Sequence, residues 1–342
     1  MSHHVTWRSL AWFALLGVAA ACTRGPTDDV VVYTSVDDVF ARPIALSFER
    51  DSGRRVRLVP DTEETKSTGL MNRLIAERQR PQADVFWSGD PMRAAVLAAR
   101  GIAAPYRSPV AAGLPAQYSD AEHRWTGFSA RARVIIYNRD LVAADAAPAS
   151  VFDLLDPRFA GRACIANPLF GTTSMHAAAL FSTFGDERAQ AFFEGFLDSG
   201  GRVVASNGEV RRRVANGDCA VGLTDTDDAQ VAQLEGKPID VVYPDADGIG
   251  TLVVPNCAVL IAGAPNPNGA RAFIDYLLRP ETEAALAASP AAQMPLRPGV
   301  EVPAGVMRLA DLRPMSVDYA ALAARLPGLT SGYLKSWVDR AS

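Results

Sequence analysis

Histidine and cysteine are scarce in this chain, at four residues each in 342. His3 and His4 stand at the very start, which leaves His123 and His176 for the rest. Neither lies in a Ser-His-Asp or HExxH pattern, so a hydrolytic site has little to be built from, and no enzyme activity is expected. Beyond Cys22, the cysteines Cys164, Cys219 and Cys257 sit among apolar or small residues with no CxxC spacing. That excludes a written zinc site and favours small buried hydrophobes. Export would allow one disulfide among the three and leave one thiol over, without saying which two pair. A basic stripe is also missing: 34 Lys and Arg are spread along the chain against 38 Asp and Glu, for a formal charge of -4. A nucleic-acid backbone is therefore not an expected partner.

Long apolar runs are lacking too. Leu10 to Ala21 is almost wholly apolar, but about twelve residues at 1.5 Å each cannot span a bilayer. Following Arg8 and ending in Ala19-Ala20-Ala21, this run fits the core of a secretory signal. Cys22 directly after the small residues fits a lipobox, so residues 1–22 are expected to be a lipoprotein signal with Cys22 acylated, and 23–29 a tether. The expected location is periplasmic or cell-surface, held to the membrane by that anchor.

With 49% hydrophobic and 21% charged residues, the remainder is composed like a folded protein and is long enough for two lobes. Val30 to Tyr33 reads as a strand, and Val39, Phe40, Ile44 and Phe48 recur at helical spacing up to Ser52-Gly53. Further strands are read at Arg55–Val59 and Ala83–Trp87, with helices after each, the spacing of βαβ units. A long strand-like segment, Phe128 to Asn138, interrupts the alternation. It resumes with a helix near Val151–Leu155, a strand Ala163–Ala166, and helices Thr173–Phe184 and Glu187–Leu197. Strand Arg202–Ala205, helix Glu209–Asn216 and strand Cys219–Leu223 follow. A second long strand, Thr251 to Ile261, crosses back before helix Asn268–Leu278 and a mostly helical end. The inferred architecture is α/β and two-lobed, each lobe a mainly parallel sheet flanked by helices, with two crossing hinge strands. Residues 30–128 plus 255–298 form one lobe, and 129–254 plus 299–342 the other.

Five segments carry a family resemblance. They are Val31-Val32-Tyr33-Thr34-Ser35, Pro81 to Trp87, Phe152-Asp153-Leu154-Leu155 with Gly161, Ala262 to Pro267, and Phe273 to Leu278. In this order they resemble the extracellular solute-binding proteins of the ferric-iron type. The resemblance implies a type II periplasmic-binding-protein fold, a ligand held between the lobes, and an ABC permease as partner. It also locates the site. Where ferric-binding members place a histidine after the first strand, this chain has Asp37; where they place a glutamate, it has Gly89 followed by Asp90. Where they place adjacent tyrosines, it has Asp227 and Asp228. The family's anion-holding helix start matches Phe170-Gly171-Thr172-Thr173-Ser174, and a loop asparagine matches Asn207.

The chemistry of these residues narrows the ligand. Asp37, Asp225, Asp227 and Asp228 each follow the carboxyl end of a parallel strand, the edge where open α/β sheets bind ligands. Converging carboxylates need a cation or strong donors, so Asp37, Asp227 and Asp228 are candidate ligands for a hard metal ion, and Asp225 and Asp90 further candidates. Gly171, Thr172 and Thr173 open a helix whose free N–H groups suit an anion, and Asn207 joins them. Lys66, Ser67 and Thr68 follow a strand and open another helix, offering positive charge and hydroxyls. Trp87, Trp125 and Phe170 are candidates for an apolar wall, with core placement as the alternative. The expected function is capture of a small charged solute by hinge closure. Family prevalence favours iron(III) or another hard cation with a companion anion, the metal being cargo rather than cofactor. The missing tyrosines favour a zwitterion such as an amino-phosphonate. A monomer is expected.

Overall fold

The computed structural model describes residues 29–61 and 68–341, together with Met1. The leader, Cys22, the tether up to residue 28, Lys66 and Ser67 lie outside the described residues. The first part alternates β1 (Val30–Thr34), α1 (Asp38–Ser52), β2 (Val56–Pro60), α2 (Thr68–Ala76), β3 (Val85–Ser88), α3 (Pro91–Ala99) and the short β4 (Ala103–Ala104). The long β5 (Thr126–Asn138) leads to β6 (Ala163–Ala166), α4 (Gly171–Asp198), β7 (Arg202–Val204), α5 (Asn207–Ala215), β8 (Val221–Asp225), α6 (Thr226–Leu234) and β9 (Ile239–Val242). A second long strand, β10 (Val253–Ile261), returns to the first part. It is followed by α7 (Pro267–Leu277), α8 (Pro280–Ala288), α9 (Tyr319–Ser331) and α10 (Tyr333–Ala341).

Among the described residues the strands form one sheet in the order β2-β1-β3-β10-β5-β8-β6-β7, with β4 on β10 and β9 on β5. β1, β2 and β3 are parallel, as are β6, β7 and β8. β5 and β10 run antiparallel to each other and to the strands on either side. Two parallel α/β units are thus joined through two long strands, the arrangement the alternation implied.

The local sequence explains these elements. Every residue of β1 is buried, as expected of a parallel strand covered on both faces. α1 buries Ala41, Ile44, Ala45 and Phe48 and ends at Gly53, whose φ of 69° is the left-handed cap that glycine adopts without strain. Asp84, wholly buried ahead of β3, accepts from the Val31 amide at 2.7 Å and the Asn266 amide at 2.6 Å. One carboxylate thus fastens β1, β3 and the start of α7. Trp87 fills the space between Phe128 and Phe273, and α9 closes over both α3 and α4.

Several expectations need correction. Cys164 and Cys219 form a disulfide, and among the described residues Cys257 is left as a buried free thiol. Apolar surroundings describe all three, but β6 and β8 are direct neighbours, which brings the first two together. The strand expected at Cys219–Leu223 runs Val221–Asp225 instead, because its pairing with β5 continues to Arg133 opposite Asp225. The helix near Val151 is a five-residue 3-10 turn fixed by a Ser150–Asp153 capping box. The two helices expected between Thr173 and Leu197 are present as the two arms of α4, separated by Gly185, whose φ of 77° is not helical. β9 was not anticipated. Trp87 and Trp125 are core residues, 0% and 4% exposed, whereas Phe170 is 65% exposed.

The disulfide closes a separation of 55 residues between neighbouring strands. Cys164→Ser/Cys219→Ser is expected to lower the unfolding free energy by about 2–4 kcal/mol. Guanidinium denaturation measures this, and an unchanged midpoint would show that the cross-link adds no constraint.

Candidate functional site

β8 ends in Asp225, and α6 begins at the next residue, so Asp227 and Asp228 occupy its first turn. Negative charge there is stabilised by the positive end of the helix dipole. Across the sheet, β5 carries Arg131 and Arg133, two residues apart and hence on one face. Oxygens of Asp225, Asp227 and Asp228 lie within 4.8 Å of one another.

Arg133 has no exposed surface, and its charge is matched inside the protein. Its Nη1 donates to Asp225 Oδ1 at 2.7 Å, and to Thr172 Oγ1 and Asn207 Oδ1 at 3.1 Å each. Its Nη2 donates to Thr173 Oγ1 at 3.3 Å. The second oxygen of Asp225 accepts from Thr172 Oγ1 at 2.7 Å and Asn207 Nδ2 at 3.2 Å. Burial works against the charge on Asp225, but Arg133, Arg131 and the hydrogen bonds hold its carboxyl below the usual range. His176, on α4, is buried beside this pair and pushed down to about 3, first by burial and then by the charge of Arg133. It is neutral at physiological pH.

Arg131 lies further out and reaches two parts of the chain. Its Nη2 donates to the Gly89 carbonyl at 2.7 Å, in the turn after β3, and its Nη1 stands 3.4 Å from Asp227 and 3.7 Å from Asp225. Burial opposes its charge, yet Asp227, Asp225, Asp37 and Asp228 together strengthen its hold on the proton. Asp227 is raised by burial, opposed by Arg131 and assisted by Asp225 and Asp37. Asp228 accepts from Thr224 Oγ1 at 3.1 Å and is pushed up to about 7, by burial and then by Asp227 and Asp225.

The structure therefore gathers Asp37, Asp225, Asp227 and Asp228 into one electrostatic neighbourhood, with Asp37 contributed by the turn that opens α1. Gly171 opens α4 with φ 55°, but the hydroxyls of Thr172 and Thr173 and the amide of Asn207 turn inward to Arg133 and Asp225. Asp90 is 3% exposed and caps α3 by accepting from the Met92 amide at 2.8 Å. Thr68 is the first residue of α2. The sequence reading missed Arg131 and Arg133. The signal was there: two arginines at alternate positions in an otherwise apolar strand need a shared, compensated face.

Residues 80–317 match the family model described as bacterial extracellular solute-binding protein. The chain belongs to that family. Iron uptake protein A1 of Synechocystis sp. is 27% identical to this binding protein over 279 residues, 78% of this chain and 76% of its own. A putative 2-aminoethylphosphonate-binding periplasmic protein of Salmonella typhi is 28% identical over 303 residues, 80% of each chain. Iron-bound HitA from Pseudomonas aeruginosa superposes with a TM-score of 0.79 at 23% identity, covering 89% of this chain and 98% of that one. The fold is the type II periplasmic-binding-protein fold, and these similar proteins are binding proteins, not enzymes. The two relatives are named for different ligands.

Asp228 makes the unliganded binding protein sensitive to pH. Its carboxyl stands at about 7 in the fold against an ordinary 3.8, so between these values the folded state holds a proton that the unfolded chain releases. Its contribution to stability falls as pH rises through that window and stays lost above it. Asp228→Asn is expected to remove the decline and raise the melting temperature at pH 8 by ~2 °C or more. Calorimetric melts at pH 5 and pH 8 test this; a variant with the wild-type pH profile would remove Asp228 from the account.

Proposed function

We propose that this binding protein captures a small zwitterion, an ammonium joined to a compact anion, and presents it to an ABC permease. The observation that carries this reading is Arg131 standing among the aspartates. Four carboxylates (Asp37, Asp225, Asp227, Asp228) face two guanidiniums (Arg131, Arg133), and Asp228 is half-protonated near neutral pH. Arg133 is engaged by Asp225 and Arg131 lies beside Asp227, and the two carboxylates on the first turn of α6 suit one ammonium. A metal ion seated on Asp227 would face the nearby guanidinium, at a cost of about 4 kcal/mol per unit of metal charge at ~4 Å in a medium of effective dielectric ~20. A ligand anion that engages Arg131 would release Asp227 for the ammonium, so one molecule satisfies both signs.

Ligand contacts from Asp37 and the Gly89 turn on one side, and from Asp227 and Asp228 on the other, would favour a closed arrangement of the two halves. A permease would read that closed shape. The run before Cys22 supports export and acylation at that residue, and the Cys164–Cys219 disulfide fits an oxidising compartment.

A second reading keeps the aspartates as metal ligands. Hard carboxylate oxygens gathered within 4.8 Å suit ferric iron or a divalent ion with a companion anion. Titration calorimetry separates the two. With 2-aminoethylphosphonate, 1:1 binding is expected, weakened about 10- to 100-fold by Arg131→Ala and at least as much by Asp227→Ala/Asp228→Ala. Methylphosphonate or ethylamine alone should bind far more weakly. Tight binding of ferric citrate with no response to the zwitterion would overturn the first reading in favour of the second.

A further inference from the structure

Three stretches pass between the two halves of the sheet close to one another: β5 at Ser129, β10 at Pro255 and Asn256, and the segment after α8. Each is irregular where they meet. Ser129 has φ 34° and Ala292 φ 44°, and the β5–β10 register shifts between Pro255 and Asn256. Such backbone persists only where the surroundings fix it. Glu283, on α8, does much of the fixing. It is 0% exposed; its Oε1 accepts from the Ser129 and Leu296 amides at 2.8 Å each, and its Oε2 from the Arg297 amide at 3.2 Å.

Asn256 completes the fastening. Its Nδ2 donates to the Ser129 carbonyl at 2.8 Å and to Gln293 Oε1 at 2.7 Å. Ala130 and Met294 exchange backbone hydrogen bonds of 2.7 and 2.8 Å alongside. The knot adjoins the site: Arg131 lies two residues beyond Ser129, and a Cβ added to Gly89 would stand 3.5 Å from Arg131 Nη2 and 3.9 Å from Asn256 Oδ1.

We infer that Glu283 is a positioning residue for ligand capture, a buried carboxylate that binds the three crossings into a single pivot and so limits how the halves can move. This rests on the hinge-closure reading above. Rotation about one crossing must carry the other two, because Glu283 is bonded to β5 and to the returning segment while Asn256 ties both to β10. Without the carboxylate, two buried amides and a part-buried third lose their acceptor, and the crossings can turn independently.

The test measures the unliganded protein, so it does not depend on the ligand assignment. Leu46 on α1 and Leu234 at the end of α6 are exposed, at 47% and 64%. Spin labels at Leu46→Cys and Leu234→Cys, in a Cys22→Ser, Cys257→Ser background, report the distance between halves by pulsed electron resonance. Leu141→Cys with Leu234→Cys reports within one half. Glu283→Ala is expected to broaden the first distribution and leave the second unchanged. Glu283→Gln, which retains one oxygen for Ser129 and Leu296, should fall between. If Glu283→Ala does not fold, Asn256→Ala carries the same expectation. A folded variant as narrow as the wild type, or one in which both pairs broaden equally, would overturn the pivot. Wild-type distances unmoved by 2-aminoethylphosphonate or ferric citrate would count against hinge closure while leaving the pivot result readable.

Discussion

A guanidinium with no contact to water survives in a protein only where its charge and its donors are matched, because moving it out of water costs several kcal/mol even after relaxation. Arg133 meets that condition at its two terminal nitrogens, through Asp225 and a ring of neutral oxygens from Thr172, Thr173 and Asn207, while its Nε finds no acceptor among the described residues. Arg133 and these partners come from four separate elements: β5, the end of β8, and the starts of α4 and α5. The pair therefore fixes where two helices begin relative to two strands. Asp227 and Asp228 follow Asp225 by two and three residues, so their positions are inherited from it. The outer part of the site stands on this buried frame, and Asp225 belongs to the frame more than to the ligand.

This division explains which parts of the site could be read from residues alone. Helix starts and strand ends mark where ligands collect, and on that ground Asp37, Asp227 and Asp228 were legible. The hydroxyls of Thr172 and Thr173 were assigned to an anion for the same general reason. A buried arginine claimed them instead, and nothing local to Gly171–Ser174 announces it. The fact that decides their role is some forty residues earlier, in Arg131-Ala132-Arg133, a stretch legible as a strand and silent about its partners. The disulfide escaped for a related reason. Cys164 and Cys219 are distant in sequence and become neighbours only once β6 is set beside β8. β9 escaped because its short apolar run pairs with the far end of β5, a contact no periodicity encodes.

The segments that carry the family resemblance serve the fold. Asp84, from Pro81 to Trp87, holds the Val31 amide and the Asn266 amide, which lie in two of the other segments. Trp87 packs on Phe273, from a fourth, and Asp153, in the remaining one, closes a capping box. Hydrogen bonds and ring contacts thus run among the segments themselves. Their order along the chain was enough to give the architecture because these contacts build it.

The residues proposed to face the ligand fall outside those segments. Arg131, Asp227 and Asp228 are in none of the five, and Asp37 lies just beyond the first. A family can keep its scaffold contacts while the charges at the ends of β5 and β8 change, and ligand identity then varies with little change in fold. That two relatives of similar identity to this chain are named for iron and for an amino-phosphonate accords with such a division. The same logic says where specificity should be sought in this protein: in the balance between Arg131 and its carboxylates. A charge count across those few side chains says more about cargo than overall identity does, because each unmatched charge in a half-buried site is worth kilocalories, while the scaffold contacts are indifferent to what the site holds.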